Sequence, residues 1–404
     1  MGGCTWGKVR LAALFLSLCA AVPAWAQVPP DATSVTVPMG PVLVQPFLFS
    51  SSERTDNVFQ RQGENREAAS IHTVTPGFLA QLPFSHSHAL LGYALRWREY
   101  NFESFSVSDE ELPPDSHYLR GRVDLVFGSG WFFSASDDFS HGVVDTQTFQ
   151  GSEVRFSGEQ MQTQHLAAEV GVDRGAQRRL KLVAQHIDDR VVGERNSGIF
   201  DTLENRAALE GEHQTRPTLW LLWGVEGRDN TRTREDEERL QEEARARVGA
   251  RWRGPGGREM DGMVGVAQAR FPQVGKHDNN VVGSFGIRFP FDRTGVIAAR
   301  LGRDVYPSVV DDIYFVSNSL QLEIASNRDA PIGLGTSAAY YANTYPATTR
   351  GNDRQLAVET WIGYRLRRWI EARLTVTGSK RASDTGEFDY QEQRVALQLR
   401  IGAS

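Results

Sequence analysis

The stretch that decides the fold lies near the C-terminus and reads LAVETWIGYRL over residues 356–366. Apolar or neutral side chains occupy every second position, and Glu359 and Arg365 are among the residues between them. The same period of two recurs in IEARLTVT (370–377) and in RVALQLRI (394–401). Strict alternation indicates β-strands with one apolar and one polar face. Because charges exclude a dry core on the polar face, the pattern favours strands with lipid on one side and water on the other.

The first 26 residues have the pattern of a secretory signal peptide. Lys8 and Arg10 precede an apolar run over 11–22, and an A-x-A cleavage site ends at Ala26. The run is too short for a membrane-spanning helix. Both cysteines of the chain lie in this segment, so the mature protein is predicted to have no disulfide framework.

Composition narrows the class of protein. The chain has 404 residues, a formal net charge of −6 and 40% hydrophobic residues. Mild acidity argues against a nucleic-acid partner. After the signal segment, no run of apolar residues is long enough for a spanning helix. We predict three parts, which are a signal peptide (1–26), an extended periplasmic linker with three prolines (27–40) and a single barrel domain (41–404).

Strand-like segments follow one another through the whole of this domain, with almost no helical interruption. They are predicted near 41–51, 70–84, 88–103, 117–127, 131–139, 162–173, 177–187, 201–213, 217–228, 242–253, 258–271, 279–289, 294–304, 313–325, 330–342, 354–366, 369–379 and 388–402. These are eighteen segments, an even number, which places both termini on the periplasmic side.

The connections between the segments alternate in length. Those after odd-numbered segments are mostly long, such as 52–69 and 229–241, whereas those after even-numbered segments are short, such as 85–87. This parity predicts an all-β, up-and-down antiparallel transmembrane barrel with short periplasmic turns and long extracellular loops. A Greek-key sandwich would not keep it. Because a barrel has no edges, we expect the last segment to pair with the first, near Val42 to Phe49.

A barrel of about eighteen strands is wide enough to leave an aqueous channel, which the polar faces would line. The candidate pore-lining residues are Arg96, Arg98, Arg120, Arg122, Asp124, Glu169, Arg245, Arg247, Arg251, Arg288, Glu359, Trp361, Arg365, Glu371, Arg373, Arg394 and Arg400. Basic candidates outnumber acidic ones, and guanidinium groups suit carboxylates, phosphates and sugar hydroxyls. Trp361 could stack on a sugar ring. Alternatively, the charges pair across strands and stabilise the wall.

Catalytic and metal-binding patterns are weak. His86 and His88 flank a short turn without a third ligand nearby. His165, His186 and His213 belong to different predicted strands and have no adjacent serine motif. No phosphate-binding loop or nucleophile elbow occurs between a strand and a helix. We therefore expect no enzymatic activity, no cofactor and no metal.

Two stretches near the N-terminus indicate a particular family of barrels. PFLFSSSERTDNVF (46–59) is followed by TVTPGFLAQLPF (73–84), then by a strand containing Tyr93 and Tyr100 and an acidic loop at Asp109. This arrangement resembles the beta-barrel porin 2 family, outer-membrane barrels found with exopolysaccharide biosynthesis systems. The resemblance implies passage of a newly made polysaccharide across the outer membrane, together with periplasmic and inner-membrane export components. It implies no catalytic residues.

The main hypothesis is therefore an integral outer-membrane barrel that exports an exopolysaccharide through a passive, Arg-lined aqueous pore. Its expected partners are the polysaccharide, outer-membrane lipid and the export components, and no nucleic acid. A general or solute-uptake porin is the first alternative, since it has the same fold with another cargo. A surface or structural barrel without transport is the second.

Overall fold

The computed structural model describes residues 36–58, 60, 66–103, 114–143, 147–149, 153–155, 160–175, 177–192, 201–233, 237–272, 275–291, 295–308, 314–326, 331–346, 351–386 and 389–402. Its strands are β1 (Val37–Met39), β2 (Val42–Thr55), β3 (Ala69–Phe84), β4 (Ser87–Phe102), β5 (Asp115–Val126), β6 (Trp131–Val143), β7 (Gln147–Phe149), β8 (Glu153–Arg155), β9 (Gln160–Asp173), β10 (Arg178–Val192) and β11 (Asp201–Arg216). They continue with β12 (Leu219–Thr233), β13 (Glu237–Arg253), β14 (Glu259–Phe271), β15 (Lys276–Phe291), β16 (Gly295–Pro307), β17 (Tyr314–Ser326), β18 (Ile332–Thr344), β19 (Asn352–Arg367), β20 (Ile370–Ser383) and β21 (Tyr390–Gly402).

Eighteen long strands, β2 to β6 and β9 to β21, form one closed antiparallel barrel, as the sequence predicted. The barrel closes between its last and first strands, β21 and β2, over the register Phe47↔Gly402 to Thr55↔Arg394. The predicted closure is thus confirmed. The short strand β1, inside the segment predicted as a linker, pairs with the part of β2 that β21 does not reach.

Period-two alternation sorts the side chains between two surfaces. On β19, Leu356, Val358 and Ile362 are exposed on the outside, whereas Gln355 and Glu359, at alternate positions, are more buried. In a closed single-layered barrel, buried side chains lie in the lumen. The apolar band therefore faces outward, toward lipid, and the polar faces turn inward.

Connection lengths follow the predicted parity at most positions. One end of the barrel has tight turns, such as 85–86 and 217–218, and the other has long connections, such as 56–68 and 103–114. Exposed aromatic residues gather at the tight-turn end, as in an interface girdle. They are Phe84, Phe127, Trp131, Phe291, Tyr364 and Trp369.

One predicted loop is wrong. The segment 229–241 is mostly strand, because β12 runs to Thr233 and β13 begins at Glu237, with Thr233↔Glu237 still paired. The segment is rich in Asp, Glu, Arg and Thr and lacks apolar alternation, so its sequence has the composition of a loop. The outer end of the barrel is accordingly a mixture of long loops and extended hairpins.

Candidate functional site

All seventeen candidate pore-lining residues lie on the inward faces of their strands, as their cross-strand partners show. Arg96, Arg98 and Arg245 are among the most buried of them, each exposing 6% or less of its surface. A role of these residues in transport stays a prediction.

The lumen carries more acidic residues than the sequence predicted. On the described strands, inward carboxylates are about as numerous as inward guanidinium and ammonium groups. The inward carboxylates that were not predicted include Glu53, Asp138, Glu204, Glu210, Glu212, Glu226, Glu243, Glu259, Asp304, Asp353 and Glu392. The signal was present, since Glu204, Glu210 and Glu212 share one parity on β11. The lumen is a zwitterionic surface rather than a cationic one.

A buried carboxylate, Glu226 of β12, organises the charges of β11 to β13. Its side chain lies 2.8 Å from the Arg206 guanidinium and 3.2 Å from that of Arg247. Arg228 and Arg245 follow at 3.5 Å and 3.6 Å. Burial makes a lone carboxylate costly, and four surrounding guanidinium groups offset that cost. Glu226 is therefore the hub of an ion network.

The network continues along the wall to β9. Arg206 also approaches Glu210, whose other neighbour is the ammonium group of Lys181 at 3.1 Å. Lys181 lies 3.0 Å from Glu169, and Glu169 lies 3.3 Å from Arg179. Adjacent charges thus alternate in sign over five strands. For Glu169 the structure shows the wall-stabilising pairing that was the alternative to a solute contact.

Ion pairs also line β5 and β6. Arg120 donates to Asp138 at 2.5 Å, and Arg122 donates to Asp124 at 2.7 Å. The hydroxyl of Ser134 donates to the same Asp124 at 2.6 Å. Both arginines are partly exposed, so they are fixed in place while still facing the lumen.

The closing seam of the barrel carries a cross-strand ion pair of its own. Arg394 of β21 lies 3.2 Å from Glu53 of β2, which is 341 positions away in sequence. The same guanidinium lies 2.8 Å from Glu392. These contacts lie on the inward face and reinforce the hydrogen bonds of the seam.

Trp361 packs into the wall. A Cβ atom at the facing Gly335 would lie 2.7 Å from the indole, so the ring rests directly on the backbone of β18. The guanidinium of Arg373 lies over the ring, 4.2 Å from its centroid, and also pairs with Glu371 at 3.0 Å. Protein groups therefore contact the ring that was predicted to be available for stacking on a sugar.

The wall is interrupted between β15 and β16. Their pairing runs from Phe291↔Gly295 only to Gly283↔Arg303. Beyond that point β15 continues to Lys276 paired with β14, and β16 continues to Pro307 paired with β17. The two strands therefore separate toward the outer end. We call residues 304–308 and 314–317 the in-folded end.

The in-folded end lies against the lumen side of its neighbours. Val305, Tyr314 and Val316 are each at most 7% exposed and belong to one apolar cluster. Their partners there are Ala267, Ala269 and Phe271 of β14 and Val282 of β15. These partners are on inward faces, and the rings of Phe271 and Tyr314 stack at 4.1 Å.

An ion pair shows how far the segment reaches. Asp304 of β16 lies 3.1 Å from Arg245 of β13. Three inter-strand spacings along the wall would separate these strands by ~14 Å. A direct contact requires the end of β16 to cross over the inner faces of β14 and β15, so it narrows the lumen.

A second segment enters the lumen from the other side. Val58, in the connection after β2, is 3% exposed and packs on Ala69 and Ile71 of the β3 inward face. Tyr100 and Phe102 of β4 pack against the same cluster. In the closed sheet β14 is the ninth barrel strand after β3, so the two clusters face each other across the barrel. The outer end is thus narrowed from two opposite sides.

The histidines singled out in the sequence do not come together. His186 bonds Asn205 at 2.8 Å on the outward face, and His213 also faces outward. His165 is on the inward face, 3.9 Å from Asp189. In the described ranges no group of three or more potential ligands could hold a metal ion, and no helix is long and apolar enough to cross a membrane.

Comparison with known proteins identifies the fold. No protein-family model matches the chain, and no curated protein sequence matches it. The FrpB iron transporter of Neisseria meningitidis (F3-3 variant) is similar with a TM-score of 0.53 and 11% identity, over 91% of this chain and 68% of that one. OccAB2 of Acinetobacter baumannii is similar with a TM-score of 0.50 and 10% identity, over 91% and 100%.

The chain therefore has the fold of outer-membrane β-barrels. Such low identity shows the fold alone. The resemblance to the beta-barrel porin 2 family has no support from a family model and stays a prediction.

Proposed function

We propose that this protein is an outer-membrane channel through which small polar solutes diffuse. The observation that carries the proposal is a closed eighteen-strand barrel with an apolar outside and a charged inside. A closed barrel of this size encloses a water-filled space, so polar solutes avoid the hydrocarbon of the membrane. The channel is passive, and we expect it to catalyse no reaction.

The ion pairs hold the charged side chains in place and keep the inner surface of the barrel hydrophilic. Each charge of the Glu226 network has a partner of opposite sign within 4 Å. Paired charges keep the wall hydrophilic without a large field of one sign. We therefore expect weak selectivity between anions and cations, and selection of solutes mainly by size.

The narrowed outer end favours small solutes over a polymer. Two apolar clusters enter the lumen from opposite sides, one around Val58 and one around Tyr314. A polysaccharide in transit would need an open path through this end. Among barrels of similar fold, FrpB is described as an iron transporter, which is in keeping with a solute channel.

The direct test is conductance in planar lipid bilayers after reconstitution of the purified protein. We expect stepwise currents, with reversal potentials near zero in a KCl gradient. A proteoliposome swelling assay with neutral sugars of increasing size should give a sharp cut-off. A reconstituted barrel that conducts no ions and passes no sugar would contradict the channel function and support a structural barrel without transport.

Export of an exopolysaccharide is the second candidate, on the strength of the sequence resemblance at 46–59 and 73–84. An exporter of this kind would act in the outer membrane together with periplasmic and inner-membrane export components. Deletion of the gene tests it. Loss of surface polysaccharide with intact solute uptake would favour export, whereas unchanged polysaccharide would remove this candidate.

A further inference from the structure

The opening between β15 and β16 interrupts a pattern that both strands continue. Past Gly283↔Arg303, the same register would place Val281 opposite Val305. Val281 faces outward and is 59% exposed, whereas Val305 is fully buried in the in-folded cluster. In an uninterrupted wall this pair would extend the apolar outer surface by one row. The sequence therefore fits two positions of the same segment, one in the wall and one in the lumen.

The in-folded position is held by contacts that a position in the wall would break. Asp304 pairs with Arg245, and the hydroxyl of Tyr314 donates to Asp278. Beneath them, Tyr314 stacks on Phe271. Asp304 of β16 thereby contacts β13, and Tyr314 of β17 contacts β14 and β15. None of these strand pairs is adjacent in the sheet.

Side chains satisfy backbone groups that the opening exposes. Arg303 donates from Nε to the carbonyl oxygen of Val281 at 3.2 Å, across the start of the opening. The amide of Val305 donates to Oδ1 of Asp304 at 2.8 Å. Backbone N–H and C=O groups on an open strand edge otherwise stay unpaired or pair with another chain. These substitutes lower the cost of the separated state.

We propose that the in-folded end is a lid that alternates between the lumen and the barrel wall. In the lumen it narrows the outer end of the channel. In the wall it completes the pairing of β15 with β16 and widens the path. The effect of the lid on conductance rests on the channel function proposed above, whereas the motion of the segment does not. The Asp304–Arg245 ion pair and the Tyr314–Asp278 hydrogen bond act as the latch.

A cysteine pair across the opening tests the motion itself. The chain has no cysteine beyond residue 19, so Val281→Cys with Val305→Cys introduces the one possible intramolecular disulfide of the mature barrel. Directly paired residues in antiparallel strands are close enough for a disulfide. We expect the bond to form in proteoliposomes under mild oxidant, detected by mass spectrometry of linked peptides. The pair Phe285→Cys with Leu301→Cys, already opposite each other, is the positive control.

Latch variants provide the second arm. Asp304→Asn and Tyr314→Phe keep the size of each side chain, and each should raise the rate of Val281–Val305 cross-linking severalfold. Glu212→Gln, which removes the charge of another lumen pair with Arg251, should not. With the disulfide formed, the single-channel conductance should rise, and a reductant should restore the original value.

The outcomes separate the two proposals. If the control pair links while Val281–Val305 never links, even in the latch variants, the lid is overturned. If the pair links but neither the oxidised nor the reduced barrel conducts, the lid stands and the channel function falls. Cross-linking at equal rates in all variants would overturn the latch assigned to Asp304 and Tyr314.

Discussion

The C-terminal strands and the in-folded end share one alternation of side chains but bury it differently. In β19 to β21, Leu356, Leu374 and Leu397 face outward and remain exposed on the protein surface. In the in-folded end, Val305 and Val316 come from the outward parity of β16 and β17, yet they are covered by the inner faces of β14 and β15. A period of two therefore fixes opposite faces of a strand, and the tertiary structure decides what covers each face.

The largest effect is expected where the in-folded end is packed. Phe271→Ala removes the ring beneath Tyr314 and leaves a cavity, which should cost ~3–5 kcal/mol of local stability. Hydrogen exchange should rise at residues 304–307, measured by mass spectrometry. Leu374→Ala is the matched control, because Leu374 is 43% exposed outside the barrel. Equal exchange in both variants would contradict the packing described.

A charge on the outward face of a C-terminal strand should destabilise the barrel. Leu397→Arg places a guanidinium in the lipid and should reduce folding stability by roughly 2–4 kcal/mol. Urea titrations in lipid vesicles measure this change. The adjacent Gln398→Arg is the control, since Gln398 faces the lumen and should alter stability much less. Similar losses in the two variants would reverse the assignment of faces on β21.

The closing seam should show an intermediate effect. Arg394→Ala removes the ion pair that crosses from β21 to Glu53 and leaves two carboxylates without their shared partner. We expect a loss of about 1.5–3 kcal/mol, the range for charged hydrogen bonds. The heat-induced shift from folded to unfolded mobility in gel electrophoresis should move to lower temperature. An unchanged transition would mean that backbone pairing alone closes the barrel.

The smallest effect is expected at the exposed outer rim. Arg54 and Glu103 form an ion pair at 2.6 Å, with 72% and 54% of their side chains exposed. Water and salt screen such a pair, so Arg54→Ala should cost less than ~1 kcal/mol. The same urea titration measures it, next to Arg394→Ala. A loss as large as that of Arg394→Ala would show that exposure does not separate the two sites.

Much of the barrel could be predicted from local sequence. Alternation in 356–366 and 394–401 predicted strands, and both stretches are strands of the closed barrel. The predicted loop at 229–241 was wrong because the alternation there lacks apolar residues. Most acidic lumen residues were not predicted, although Glu204, Glu210 and Glu212 share one parity, because the strand faces were assigned from apolar residues.

By itself the sequence determined the strand number, the faces and the closure of the barrel. These properties depend on neighbours one or two residues apart and on the spacing of turns. Only the tertiary structure decided the hub at Glu226 and the in-folded end. The ion pair between Arg245 and Asp304 joins residues 59 positions apart in the chain. Such a contact depends on how the end of β16 crosses the lumen. The alternation of side chains along a single strand does not predict that path.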